Sequence, residues 1–161
     1  MEFIMKKISI VLVILWMGVI FYFSNQPATV STIQSNKVIH ILDKISEDSV
    51  LGNILHILYK SKGASFIIRK SAHMVSYAML AVLSFIMVYA HKLHIRKSFI
   101  YGFLITFLYS ITDEIHQLFI PGRAGMIQDV LIDSLGAVIG LSLITLIYKL
   151  IIRRNKYSTM S

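Results

Sequence analysis

The sequence predicts an all-α integral membrane protein: a four-helix transmembrane bundle with two short amphipathic helices in the extracytoplasmic segment between helices 1 and 2. Three observations carry that expectation. Hydrophobic residues make up 56% of the 161-residue chain and the mean hydropathy is +0.71, which lies in the membrane class rather than the soluble one. Four apolar runs, at about 8–23, 66–90, 99–120 and 130–152, approach the roughly 20 residues needed to cross a hydrocarbon core. Lys and Arg gather at the ends of these runs, so the net charge of +8 reads as orientation in a bilayer and not as nucleic-acid binding. A single domain spanning 1–161 accounts for the chain. The absence of cysteine excludes disulfides, thiolate chemistry, Fe–S clusters and cysteine zinc sites.

Lys6 and Lys7 precede the first run, and Ser24-Asn25-Gln26-Pro27 follows it without a clear small-residue cleavage site, so it is expected to be a retained helix. In the long segment after it, Val38, Ile41, Leu42 and Ile45 recur at helical spacing, as do Leu51, Ile54, Leu55 and Leu58. Their polar faces carry Lys37, His40, Asp43 and Lys44, then Asn53, His56 and Lys60, which suits helices lying in the outer interface. Cytoplasmic loops collect Lys and Arg. Lys6 and Lys7, the stretch His91 to Lys97 and the tail Arg153 to Lys156 therefore share the inner side, which makes both termini cytoplasmic in a multi-pass membrane protein.

With that orientation, three spans bring polar residues to the same outer depth. Lys70, His73 and Tyr77 share a face of the second span; Tyr109, Asp113, His116 and Gln117 share one of the third; Asp129 and Asp133 continue into Gly136 and Gly140 on the fourth. Asp113 falls roughly 10 Å below the end of its apolar run at 1.5 Å per residue. Glu114, turned about 100° from it, is placed to contact the loop or the interfacial helices. Ionisable groups at such depth are costly unless they are used; the alternative is a salt-bridge network that fixes helix register. Gly136 and Gly140, four apart, allow another helix to approach closely. Pro121-Gly122 signals a turn, and Arg123 after it offers a planar donor fork to an anionic headgroup. His91 and His94 read as loop residues without a role.

The run Thr112-Asp113-Glu114-Ile115-His116-Gln117-Leu118-Phe119-Ile120-Pro121-Gly122-Arg123 resembles the VanZ-like membrane proteins. So do Arg69-Lys70-Ser71-Ala72-His73 with Tyr77, Asp129-Val130, Gly136 to Gly140, and Ser24 to Pro27. Asp133 departs from that pattern, where Asn is more usual, and adds a charge. The resemblance implies a bacterial plasma membrane, a cell-envelope setting and an association with resistance to the glycopeptide teicoplanin.

Three functions stay open. The first is an enzyme acting at the outer face on a lipid-linked or other anionic amphiphile. Asp113, His116, His73, Glu114 and Asp129 would supply acid/base chemistry, and Lys70, Arg123, Gln117, Tyr77 and Asp133 would hold the substrate. A divalent-metal form of it would draw its ligands from His73, Asp113, His116 and Asp129; no HExxH motif supports that form. The second is a non-catalytic protein binding an envelope lipid, precursor, glycopeptide or partner. The third is a small transporter, against which stands the apolar character of the inner halves of the runs.

Overall fold

The computed structural model describes residues 2–46 and 63–158. Within them the chain is all-helical: α1 (Glu2–Ser24), α2 (Ala28–Ser46), α3 (Ala64–Ala90), α4 (Ile95–Gln117) and α5 (Ile127–Ser158). The second amphipathic stretch, Leu51 to Leu58, lies outside the described residues. Among the described residues, three helices are long and apolar enough to cross a membrane: Phe3–Ser24, Ala64–Ala90 and Ile127–Ile151. α4 is not among them, because Asp113, Glu114 and several hydroxyls dilute its hydropathy.

α3 is the hub and touches each of the other four helices. Its closest neighbour is α5, and glycine makes that contact. A Cβ on Gly136 would collide with the backbone oxygen of Met74, and one on Gly140 with that of Ala78. Side chains at these positions would push the helices apart, so small residues set the packing distance, as they do between helices in lipid. α4 packs by a related device. Its buried face is Ser98, Gly102, Thr106, Ser110, Asp113 and Gln117, and the hydroxyls of Thr106 and Ser110 donate back to the carbonyls of Gly102 and Phe107, so they cost no unpaired polar group.

Two apolar clusters fill the bundle. Val13, Ile20, Tyr77 and Leu80 join α1 to α3, flanked by Trp16, Met17 and Tyr109. Ala81, Phe85, Ala137 and Leu141 join α3 to α5 toward the opposite end, where Tyr89 and Tyr148 stack around Phe85. α1 is pinned by two long-range hydrogen bonds to helix carbonyls: Trp16 Nε1 donates to Ser76 O at 2.9 Å, and Tyr109 Oη donates to Met17 O at 2.7 Å.

α2 is longer than the amphipathic helix expected there. It begins at Ala28, ten residues before the periodic stretch, and its buried residues are Ser31 and Ser35, while Ile33, Val38 and Ile41 are largely exposed. The hydroxyl face of Ser31 and Ser35 lies on the bundle, Ile33 and Ile41 are exposed, and Val38 stands at the edge of the packed face. Ser31 is turned inward because it meets the end of the bundle where the charged residues collect, and its hydroxyl oxygen accepts a hydrogen bond from Arg123 there.

Candidate functional site

The ends of α1 and α4 and the starts of α3 and α5 meet at one end of the bundle, the polar end. Among the described residues four carboxyl groups lie there, and each has different surroundings. Lys70 of α3 forms an ion pair with Asp129 in the first turn of α5, with both side chains mostly buried. Glu114 accepts the Met126 backbone N–H at 2.9 Å and thereby caps the approach to α5; this is a loop contact, on the side of α4 away from the ring of His116. Asp113 accepts from the Ser24 hydroxyl at 2.8 Å and from Gln117 Nε2 at 3.3 Å. Asp133 is fully buried and accepts no hydrogen bond among the described residues; its nearest basic neighbour is His73, with Nδ1 3.9 Å from Oδ1. Tyr77, stacked 6.3 Å from the His73 ring, is also fully buried, and its hydroxyl faces Asp113 without closing a hydrogen bond to it.

Arg123 ties the connecting segments together. Ile120 O accepts the Arg123 N–H across a tight turn in which Pro121 is followed by Gly122 at φ +73°, the geometry of a type II turn that favours glycine at that place. The side chain then reaches back along the chain. Nε donates to Gln26 O at 2.8 Å, Nη2 to Phe23 O at 3.0 Å and to Ser31 Oγ at 2.6 Å, and Nη1 to Gln117 Oε1 at 3.3 Å. One guanidinium thus joins the end of α1, α2 and α4, which only a planar multi-donor fork can do. Burial, followed by the like charge of Arg69, lowers the Arg123 pKa, and Asp113 and Glu114 oppose that shift; the group stays charged.

Beside this latch lies a cavity of about 430 Å³ bounded by α1, α2 and α3. Arg69, His73 and Arg123 are its titratable lining residues. Ser24, Ser31, Gln34 and Ser76 add polar groups, and Ile20, Phe23, Val38 and Ile68 form an apolar wall. Arg69 makes no hydrogen bond or ion pair among the described residues, and its half-buried guanidinium is available to the cavity. Asp113 sits behind Ser24, linked to the cavity through that hydroxyl.

The residues expected from the sequence therefore separate into two groups. His73 and Arg123 line the cavity, and Asp113, Gln117, Tyr77 and Asp133 are buried next to its lining. Lys70 is turned toward α5 and occupied by Asp129, so the cation beside the cavity is its neighbour Arg69. His116 does not point into the cavity. Its ring packs on Phe21 at 4.7 Å and its Nε2 lies 3.3 Å from Asn25 Oδ1. No group of three or more His, Cys, Asp or Glu side chains among the described residues could hold a metal ion, so His73, Asp113, His116 and Asp129 do not come together as a ligand set. Ser24, Ser31 and Arg69 were not singled out by spacing. The available signal was the helical set Arg69, Ala72, His73 and Ser76, one residue out of phase with the Lys70 face.

No curated protein and no solved structure matches the chain. The family model described as VanZ/LLP1 matches residues 9–150, a stretch that holds most of α1, the Arg123 latch and every lining residue of the cavity, and on that match the chain belongs to the VanZ/LLP1 family.

Proposed function

We propose that this VanZ-like membrane protein spans a bacterial plasma membrane four times, with both termini cytoplasmic, and binds the anionic headgroup of a cell-envelope amphiphile in the cavity at its outer end. The four-span topology draws support from α4, which is 23 residues long and exposes Ile100, Leu104, Leu108 and Ile115 on the face away from the bundle. That face suits lipid. The inner end is then the basic one, as the positive-inside rule requires. Reporter fusions at Ser161 and near Asn53 test this, and an external signal at Ser161 overturns it.

The observation that carries the binding reading is the pairing of two guanidiniums with an apolar wall in one cavity. Arg123 spends most of its donors on the latch and contributes mainly charge, while Arg69 retains its full fork for a phosphate or carboxylate. An acyl chain would lie along Phe23, Val38 and Ile68. The full-length protein in lipid nanodiscs, incubated with a lipid-linked wall precursor and analysed by mass spectrometry, is expected to retain the precursor, and Arg69→Gln is expected to weaken retention about tenfold, or 1.4 kcal/mol. Equal retention by wild type and Arg69→Gln would refute the reading.

A second, enzymatic reading is favoured by one contact, the 2.8 Å hydrogen bond from Ser24 to Asp113 at the cavity wall. A hydroxyl held by a carboxylate with an imidazole nearby is a combination suited to nucleophilic or acid/base chemistry. Under this reading Asp113→Asn retains the precursor but leaves it unconverted, whereas conversion by neither protein leaves binding as the activity. The cellular readout of both is glycopeptide susceptibility, with teicoplanin as the test compound, in cells expressing each variant at equal membrane abundance.

A further inference from the structure

The end of the bundle opposite the latch carries a second cavity, of about 1080 Å³, between the α3–α4 turn and α5. Its rim holds Lys92, His94, Arg96 and Lys149, and its wall is Phe99 and Ile100 with Leu93. Thr145 lines it as well, with a buried hydroxyl oxygen that makes no hydrogen bond among the described residues. No acidic residue is among the lining residues. The imbalance runs through the sequence: there is no Asp or Glu in residues 49–112 or 134–161, so this end has no carboxylate from α3, from the α3–α4 turn, from the first four turns of α4, or from the length of α5 beyond Asp133.

Orientation in the bilayer accounts for basic residues at this end, but not for their gathering around a recess with an apolar floor. Arg96 and Lys149 make no hydrogen bond or ion pair among the described residues. Lys92 stands in the left-handed region at φ +62°, unusual for a residue with a side chain. It closes the turn so that the N–H of His91 and its own N–H return to Val88 O and Tyr89 O, which sets it on the rim. Two exposed cations that line one recess repel unless an anion is bound with them.

We infer that this recess is a site for an anionic phospholipid of the inner leaflet, with the headgroup phosphate held by Arg96 and Lys149 and the first acyl segments laid on Phe99 and Ile100. A zwitterionic lipid would bring its own cation to a rim that already has several, so the site discriminates by headgroup charge. The inference rests on the membrane orientation proposed above and is independent of what the polar-end cavity binds.

The test uses the full-length protein in detergent, titrated with phosphatidylglycerol or with phosphatidylcholine and read by native mass spectrometry. Phosphatidylglycerol is expected to be retained at least tenfold better. Arg96→Gln and Lys149→Gln should each reduce that preference several-fold and together remove it, while Lys97→Gln, an exposed neighbour that does not line the recess, and Lys149→Arg should leave it in place. Thermal stability of the double variant, expected to be unchanged before lipid is added, separates lost binding from lost folding. If the preference survives the double variant but disappears in Arg69→Gln, the lipid occupies the polar-end cavity and the inference fails. If inorganic phosphate at equal concentration displaces the lipid completely, the recess is a free-anion site and the inference fails in that form too.

Discussion

The two ends of this bundle hold charge in opposite ways. At the polar end, Lys70 with Asp129, Arg123 with three chain segments, and Asp113 with Ser24 are mixed in sign, buried or half-buried, and joined to named partners. At the basic end, Arg96, Lys97 and Lys149 are one sign and exposed. Charge of one sign at a surface can be supplied by almost any arrangement of lysines and arginines, and it tolerates substitution. Charge of both signs inside a helix bundle has to be built residue by residue, since each member removed leaves its partner without compensation. The difference marks the polar end as the part of the molecule whose residues are individually specified.

The largest effect expected from that difference is at Lys70. Lys70→Ala leaves Asp129 as an uncompensated, mostly buried carboxylate and should cost about 3–5 kcal/mol, seen as loss of membrane-inserted protein and a lower melting temperature in detergent. The double variant Lys70→Met with Asp129→Leu should recover most of it, because an apolar pair of similar volume replaces a buried ion pair at little cost. If Lys70→Ala is as stable as wild type, the ion pair behaves like a surface one and the contrast between the ends collapses.

Arg123→Lys comes next. Lysine keeps the charge but cannot span Gln26 O, Phe23 O, Ser31 Oγ and Gln117 Oε1 at once, and a loss of about 1.5–3 kcal/mol is expected, the range for a hydrogen bond to a charged group. Limited proteolysis between α1 and α2 should accelerate in the variant. Full protection there would mean that the latch owes its strength to charge alone. The smallest effect belongs to the basic end: Lys97→Gln should stay within about 0.5 kcal/mol of wild type, and a larger destabilisation would show that this end, too, is specified.

Much of the polar end was legible in the sequence because buried ionisable residues stand out inside apolar runs. Asp113, Gln117, His73, Asp133 and Arg123 are all found there, and the helix-packing role of Gly136 and Gly140 followed from their spacing alone. What stayed hidden has a physical reason in each instance. Lys70 and Arg69 differ by about 100° of helix rotation, and a periodicity within one helix does not say which face meets α5 and which meets the cavity. His116 lies about 60° round the helix from Asp113, near enough to share its face on paper but far enough to pack on Phe21. The stripe Ser98, Gly102, Thr106, Ser110 reads as scattered hydroxyls in an apolar run, although it is the packing face of α4. For α2 the hydroxyls of Ser31 and Ser35, which no apolar period picks out, mark the side turned to the bundle. A helix that meets the polar end of a bundle turns its hydroxyls inward, so an apolar period alone does not name its packed face.

The latch has a consequence for how the protein is made. The contacts of Arg123 with Phe23, Gln26 and Ser31 close loops of 92 to 100 residues. A ribosome adding about 5–20 residues per second needs roughly 5–20 s to travel that distance. For most of that interval α1 and α2 are already synthesised while the guanidinium that fastens them does not yet exist. The order of synthesis therefore makes the wall of the cavity early and its fastening late. A nascent chain arrested before Arg123 is expected to be cut readily between α1 and α2, and one arrested after α5 is expected to resist.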